Sequence, residues 1–356
     1  MANSHFTREW LDDHILGCFK GVCLGDAMGA ATEQHQIDEI LVEYGGMLRE
    51  LVPPGPDTFS ESEFAGLVTD DSSQMFAMCE AIFRTNGNLT TAAWTERLID
   101  WSINSPLKHH QGPTTRQYMA ALARGESTEY IGTVGRSTRK YADLGNTNGS
   151  AMRVAPAGML NPGDIESAVR TAWITCLPTH DTHIAAAGAG AIAAGVSRAL
   201  MPGADVYSVV KACLDGARLG EEIGRKEGRT PPGPSIVSRI EIAVEQALRA
   251  RSLEDALRRI EATVGNSVLM VQSVPAAVGV FVAAGGDPVE TAVGGTNIGN
   301  DSDTIAAMAG AMAGALSGSA AVPDRYWKVI EKANPEDISG MAKKLSDIVW
   351  ARISSR

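Results

Sequence analysis

The stretch from Thr304 to Val322 contains no charged residue, and it limits the folds open to this chain more than any other feature. It consists mostly of Ala, Gly, Ser and Met, so a helix formed here has no polar face. Such a helix lies either deep inside a large protein or in a membrane. Because Ala, Gly and Ser contribute little transfer free energy and the run carries no Trp or Tyr, we predict a closely packed core helix and no membrane span.

Two acidic clusters precede helical patterns at widely separated positions. The segment 301–304 (Asp-Ser-Asp-Thr) precedes the apolar run, and the segment 69–71 (Thr-Asp-Asp) precedes the pattern MFAMCEAIF. Either cluster alone is typical of a helix N-cap. Neighbouring carboxylates repel each other unless a cation joins them, and Asp and Thr oxygens are ligands that Mg²⁺, Mn²⁺ and Ca²⁺ prefer. If the two clusters converge, they form a site for one or two such cations.

Glycines recur every four residues near the start of the chain, at Gly17, Gly21, Gly25 and Gly29. This spacing places them on one face of a helix, where a neighbouring backbone can approach closely. Since each interior glycine costs up to about 1 kcal/mol relative to Ala, packing must compensate for the stripe. Glu33 follows as an acid at the exit of this helix.

Helical periodicity dominates the sequence, and the alternation typical of strands is scarce. We therefore predict an all-α fold. The chain of 356 residues exceeds the usual size of a single core, but no stretch has the composition of an interdomain linker. We predict one domain over residues 1–356, with two domains as the alternative.

Composition excludes several classes of function. The net charge of −11 disfavours a protein that binds the phosphate backbone of nucleic acids, and aromatic residues make up only 5% of the chain. The five cysteines lie in apolar helical stretches without paired spacing, which predicts buried thiols in a reducing compartment. The N-terminal sequence lacks the pattern of a signal peptide, so we expect a cytoplasmic protein.

Two central segments carry polar residues whose roles stay open. Residues 145–160 are rich in Gly, Asn and Ser, which predicts tight turns whose N–H groups receive a phosphate or hydroxyl, or a plain turn between helices. Arg153 lies among apolar residues, as a buried ion-pair partner or a phosphate contact. We expect His109 and His110 to be solvated, because adjacent histidines cannot share a helical face. Thr179 is the expected N-cap of the helix that follows it.

Five segments together resemble the ADP-ribosylglycohydrolases, a family that includes the dinitrogenase reductase-activating glycohydrolase. They are spread over nearly the whole chain and read GVCLGDAMGAATE, VTDDSS, GNTNGSAMRVAP, THDTH and GNDSDTIAAMAGAMAGA. The paired TDD and DSDT clusters are specific in combination. The resemblance implies a compact, single-domain, orthogonal helical bundle with two Mg²⁺ or Mn²⁺ ions at the base of a cleft.

The resemblance also implies roles for individual residues. Asp303 matches a ligand that bridges the two metals, and Glu33 falls on an acid near them. The NGS turn matches the loop that holds the phosphate and ribose of the substrate, and His180 matches a histidine in the cleft. The implied metal ligands are Thr69, Asp70, Asp71, Asp301, Asp303 and Thr304. The implied substrate-binding residues are Asn148, Gly149, Ser150 and His180.

The chemistry implied by this resemblance is hydrolysis of a ribosyl glycosidic bond. A pair of metal ions chelates ribose hydroxyls and activates water, and a carboxylate accepts the water's proton. Glu33, Asp70 and Asp303 are the candidate catalytic acids, and the sequence does not assign the base among them. The foremost hypothesis is removal of ADP-ribose from a modified protein or small molecule. The alternatives are an N-glycosidase for nucleosides, favoured by the absence of an aromatic residue near the NGS turn, and a catalytically silent member.

Overall fold

The computed structural model describes residues 6–355, which form α-helices joined by turns and loops. Within this range there is no β-strand, and three isolated bridges are the only strand-like pairings. The predicted all-α class is confirmed. The α-helices of the described chain are α1 (Arg8–Gly29), α2 (Ile37–Glu43), α3 (Asp70–Arg84), α4 (Thr91–Asn104), α5 (Pro113–Ala123), α6 (Gly149–Met152), α7 (Ala155–Met159), α8 (Ile165–Cys176), α9 (His183–Ala199), α10 (Val206–Glu227), α11 (Ile236–Arg249), α12 (Leu253–Thr263), α13 (Met270–Ala283), α14 (Pro288–Asn297), α15 (Ser302–Ser317), α16 (Asp324–Ala333) and α17 (Ile338–Ser354). Short 3-10 turns cover Ala30–Thr32, Lys108–His110 and Ser319–Ala321.

Helices α1 and α15 pack against each other along the glycine stripe, at backbone-to-backbone distance. A Cβ atom added at Gly21 would lie 2.1 Å from the carbonyl oxygen of Gly310, and one at Gly17 would lie 2.4 Å from that of Gly314. At the other end, a Cβ at Gly29 would lie 2.5 Å from the Cα of Asp303. The two helices are therefore antiparallel, and the stripe explains how the uncharged part of α15, which begins at Thr304, is buried.

This pairing brings the end of α1 to the start of α15. The Ser302 hydroxyl donates to the carbonyl oxygen of Gly29 at 2.8 Å. The Thr32 hydroxyl lies 2.6 Å from the carbonyl oxygen of Thr296, at the end of α14, and 3.1 Å from the hydroxyl of Ser302. These hydrogen bonds to backbone carbonyl oxygens fix the position of the end of α1 relative to the start of α15, and so the positions of the acids there.

The remaining helices enclose this pair in one continuous hydrophobic cluster that extends from Leu11 to Val349. The five cysteines are buried, unpaired thiols within the helices, as expected. One described segment, Arg8–Thr32, is long and apolar enough to cross a membrane, but 94% of its apolar window is buried inside the protein. Such extensive burial inside the protein is typical of a core helix.

Candidate active site

Three carboxylates meet where α1 ends and where α3 and α15 begin. Asp26, Asp71 and Asp303 each offer an oxygen atom, and these atoms all lie within 4.8 Å of one another. All three side chains are buried. Asp71 and Asp303 come from the two acidic clusters, so the predicted convergence is confirmed. Asp26 lies within the glycine stripe and was not anticipated as a member of the site.

Asp26 binds backbone N–H groups at the start of α3 that have no partner within that helix. Its carboxylate accepts hydrogen bonds from the backbone N–H groups of Thr69 and Ser72, each at 3.0 Å, and from the Thr69 hydroxyl at 2.8 Å. A carboxylate at a helix N-terminus satisfies unpaired donors and interacts favourably with the helix dipole. Asp26 therefore places Asp70 and Asp71 at the site.

The start of α15 is arranged in a similar way. Asp301 is the N-cap residue, and its carboxylate accepts a hydrogen bond from the side-chain amide of Asn148. Asp303 accepts from the backbone N–H of Thr304 at 2.8 Å. The Thr304 hydroxyl donates to Asp71 at 3.4 Å, which links the two predicted clusters directly.

Burial is the main influence on the acidity of this cluster. It raises the pKa values of Asp26, Asp70, Asp71 and Asp303 above their ordinary range, and neighbouring carboxylates raise those of Asp70, Asp71 and Asp303 further. Burial also raises the pKa of Asp301 to about 7, although Asn148 donates to its ionised form.

A divalent cation fits this set of donors. The carboxylates supply only oxygen atoms, as hard cations require. The Oδ1 atom of Asp71 is buried without a hydrogen-bond partner, and an unsatisfied buried oxygen is unfavourable unless another group occupies it. The structure therefore favours a cation at the centre of the Asp26, Asp71 and Asp303 group.

A buried arginine lies behind the acidic cluster. Arg153 is fully buried, and its guanidinium donates to the Gln74 amide oxygen at 2.6 Å and to the Thr179 hydroxyl at 2.9 Å. The Gln74 amide in turn donates to Asp70 at 3.0 Å. Among the described residues Arg153 therefore has no ion-pair partner, because its hydrogen bonds go to uncharged side chains, and the phosphate contact stays a prediction.

A cavity of about 360 Å³ opens beside the carboxylates. Its wall includes seven of the predicted site residues, namely Glu33, Asp70, Asn148, Gly149, Asp301, Asp303 and Thr304. Thr69 and Asp71 are buried beside Asp26 and do not line the cavity. The metal-ligand candidates thus form the base of the cavity and the layer directly behind it.

Two predicted substrate-binding residues do not reach the cavity wall. Ser150 and His180 are fully buried. The His180 ring lies behind Gly149, where an added Cβ would approach it to 3.1 Å, and it contacts the hydroxyls of Thr147 at 3.0 Å and Thr179 at 2.6 Å. In this structure both residues support the turn at Gly149 from behind, and direct contact with a ligand in the cavity would require Gly149 to move.

Two local expectations were wrong. Helix α9 begins at His183, and its N-cap is Thr182, whose hydroxyl accepts from the N–H of Ala185 at 3.0 Å. Thr179 points inward to the buried arginine instead. His109 is exposed, as expected, but His110 is partly buried and lines the cavity from the turn that leads into α5.

Comparisons with known proteins identify the family of this chain. A sequence model of the family described as ADP-ribosylglycohydrolase matches residues 7–353. An Escherichia coli (strain K12) relative, "Uncharacterized protein YegU", is 30% identical over 343 residues, which cover 94% of this chain and 96% of the relative. Human "ADP-ribosylhydrolase ARH3" is 25% identical over 354 residues, 90% of each chain.

A solved structure supports the fold independently. It is described as an "ADP-ribosylglycohydrolase-related protein complex" and has a TM-score of 0.65 over 96% of this chain and 99% of that chain, at 22% identity. The resemblance found in the five sequence motifs is therefore confirmed by a family match over nearly the whole chain. This protein belongs to the ADP-ribosylglycohydrolase family.

Proposed function

We propose that the protein is a metal-dependent hydrolase that cleaves the glycosidic bond of a ribosyl compound, with ADP-ribose as the glycosyl group. The observation that carries the proposal is the buried, oxygen-only group of Asp26, Asp71 and Asp303 at the base of a cavity. The family is one of glycohydrolases, and a full-length relative is described as an ADP-ribosylhydrolase.

Two Mg²⁺ or Mn²⁺ ions are the proposed cofactor. Asp26, Asp71 and Asp303 would hold one of them, and Asp70, Asp301 and Thr304, which line the cavity, would complete the ligand set together with Thr69. Such ions supply Lewis-acid stabilisation of developing negative charge and a fixed point of attachment for ribose hydroxyls. The all-oxygen ligand set favours these ions over Zn²⁺.

Glu33 is the proposed general base. It lines the cavity, and burial together with Asp301 raises its pKa to about 7, close to the pH at which a base works best. The Ser60 hydroxyl donates to its Oε2 atom at 3.1 Å and orients the carboxylate. Glu33 would remove a proton from the water that attacks the anomeric carbon, while Asn148 and Gly149 line the part of the cavity proposed for the glycosyl group.

Turnover after metal removal tests this function. The protein is dialysed against EDTA and assayed for release of ADP-ribose from ADP-ribosylated proteins and small molecules, and of ribose or base from nucleosides. We expect no turnover until Mg²⁺ or Mn²⁺ is restored, and none with Zn²⁺ alone. Asp26→Asn should be inactive, whereas Asp143→Asn, which changes an exposed acid outside the site, should match the wild type. Full turnover after exhaustive chelation would contradict the proposal.

The same assay separates the alternatives. Release from nucleosides alone would identify an N-glycosidase with a smaller substrate. Tight binding of ADP-ribose without any turnover, under all three metals, would identify a silent binding protein. Thermal shifts with ADP-ribose, ribose 5-phosphate and nucleosides in the presence of Mg²⁺ give a second readout, in which we expect ADP-ribose to produce the largest shift.

A further inference from the structure

Two loops place aromatic side chains on the cavity wall close to Glu33. Phe59 lines the cavity with 69% of its surface exposed, and His109 and His110 line it from the turn before α5. Ser60 connects the two loops, because its hydroxyl lies 3.1 Å from Glu33 Oε2 and 3.3 Å from His110 Nδ1. An exposed phenyl ring therefore lines the same cavity as the carboxylate proposed to accept the proton.

The two imidazole rings add an aromatic surface. The rings of His109 and His110 are 4.0 Å apart between centroids. Burial, with His109 as a neighbour, lowers the pKa of His110 to about 4, so His110 is neutral at neutral pH. A neutral imidazole stacks on a planar heterocycle. Unlike a charged imidazolium, it does not repel a heterocycle that is itself protonated.

Gln111 offers a hydrogen-bond acceptor on the same wall. It is 9% exposed, and its side-chain N–H group donates to the carbonyl oxygen of Lys108 at 2.8 Å. Because a carbonyl oxygen can only accept, this contact fixes the orientation of the amide. The Oε1 atom is then left buried with no partner among the described residues. A buried acceptor without a partner is unfavourable, and a ligand N–H group would satisfy it after a small shift of the Gln111 side chain that opens this atom to the cavity.

We propose that the leaving group is a planar nitrogen heterocycle with an N–H donor. It is held by four residues, here called the aromatic wall: Phe59, His109, His110 and Gln111. The proposal rests on the proposed hydrolytic function and specifies its substrate class as N-ribosides of heterocyclic bases. In the reaction, the bond between the anomeric carbon and the base nitrogen breaks, and its electron pair stays on the nitrogen. Water supplies a hydroxyl to the carbon, and its proton passes through Glu33 to the departing base.

The position beside Glu33 distinguishes a leaving group from the far end of the glycosyl group. The Ser60 hydroxyl contacts both His110 of the aromatic wall and the proposed base, so a ring stacked on His110 lies near the bond that breaks. Hydrogen bonding to the Gln111 oxygen then selects heterocycles with an amide or amino N–H over purely apolar rings.

Binding of free bases tests the aromatic wall separately from turnover. Hypoxanthine, cytosine and nicotinamide are titrated by calorimetry into the Mg²⁺-loaded protein, with and without saturating ADP-ribose. We expect at least one base to bind in both conditions. Phe59→Ala should weaken that binding about tenfold or more, as loss of a stacking partner does, and Gln111→Met should weaken it about fivefold or more, as loss of a hydrogen bond does.

Phe64→Ala is the matched control. Phe64 lies on the same loop with 66% of its surface exposed, but it does not line the cavity. This variant should bind the bases as the wild type does, and all variants are first shown to share the wild-type melting temperature. Equal base affinity in Phe59→Ala and Phe64→Ala would overturn the proposal, as would complete displacement of the bases by ADP-ribose, which would assign the aromatic wall to the adenine of that ligand. If no riboside is hydrolysed but Phe59→Ala still loses base binding, the proposed activity fails while the aromatic wall stands.

Discussion

Replacing Asp303 by Asn should make the metal-free protein more stable at neutral pH. Its carboxylate is buried within 4.8 Å of those of Asp26 and Asp71. The change removes a group that must either ionise against two like charges or bind a proton at a pH far above its ordinary pKa. Asn retains a side-chain oxygen that can accept the hydrogen bond that Asp303 receives from the Thr304 N–H.

The size of the effect follows from these distances. Two unit charges 4.8 Å apart repel by about 3 to 4 kcal/mol at an effective dielectric constant of ~20. Because Asp303 can bind a proton instead of ionising, its destabilising effect has an upper limit. At pH 7.5 this limit is about 1.4 kcal/mol for each pH unit above the unfolded-state pKa of 3.8, which gives about 5 kcal/mol. We expect a gain between about 1 and 5 kcal/mol. At roughly 2.1 cal/mol/K per residue over 356 residues, this raises Tm by about 1 to 7 °C.

The effect has a definite pH dependence. A carboxyl group with a raised pKa in the folded state binds more protons when folded than when unfolded, so its contribution to stability falls as pH rises above the unfolded-state pKa. For Asp301, whose pKa rises from 3.8 to about 7, this window runs from about pH 4 to pH 7. The metal-free wild type should therefore be more stable at pH 5 than at pH 7.5, and the advantage of Asp303→Asn should shrink toward pH 4.

Differential scanning calorimetry in EDTA and in Mg²⁺, at both pH values, measures these differences. Mg²⁺ at a hundredfold excess over its Kd should stabilise the wild type by about 2.7 kcal/mol for each ion bound. It should stabilise Asp303→Asn much less, and Asp143→Asn as much as the wild type. A metal-free melting temperature of Asp303→Asn below that of the wild type at pH 7.5 would refute the electrostatic reasoning. An unchanged Mg²⁺ response would show that Asp303 is only a helix residue.

Two other perturbations probe the scaffold. Gly21→Ala should lower the free energy of unfolding by about 1 to 3 kcal/mol or more in urea titrations, because its Cβ would lie 2.1 Å from the Gly310 carbonyl oxygen; Gly112→Ala, where nothing lies within 4 Å, should change it little. Serine at all five cysteine positions should leave turnover measurable with reduced stability, because burial raises the pKa values of these thiols above their ordinary value and keeps them unreactive. Loss of turnover in a folded Cys79→Ser variant would contradict this.

The sequence predicted the acids of the two clusters but not the third carboxylate. The clusters were recognisable because Thr and Asp precede apolar helical patterns at both places. Asp26 stands inside the glycine stripe, and only the hydrogen bonds that it accepts from Thr69 and Ser72 show that it meets the start of α3. A single acid inside an otherwise uncharged helical stretch was a usable signal, because an unpaired buried charge is unfavourable.

The aromatic wall was missed for a different reason. No aromatic residue is evident near the NGS turn, whereas Phe59 reaches the cavity from a loop far away in sequence. His109 and His110 were expected to be solvated, because adjacent histidines cannot share a helical face. Their place beside Phe59 depends on how the loops fold over the helix ends, which periodicity does not determine.

The close packing of α1 and α15 also bears on metal affinity. The glycine stripe sets the separation of Asp26 and Asp303 through backbone contacts, and the N–H groups of α3 fix Asp71 relative to Asp26. The carboxylates therefore cannot move far apart when no cation is present, so their repulsion is retained in the folded state and released on binding. A site organised in advance loses little conformational entropy when it binds. The same contacts that bury the apolar part of α15 thus both destabilise the metal-free protein and strengthen its affinity for a divalent cation.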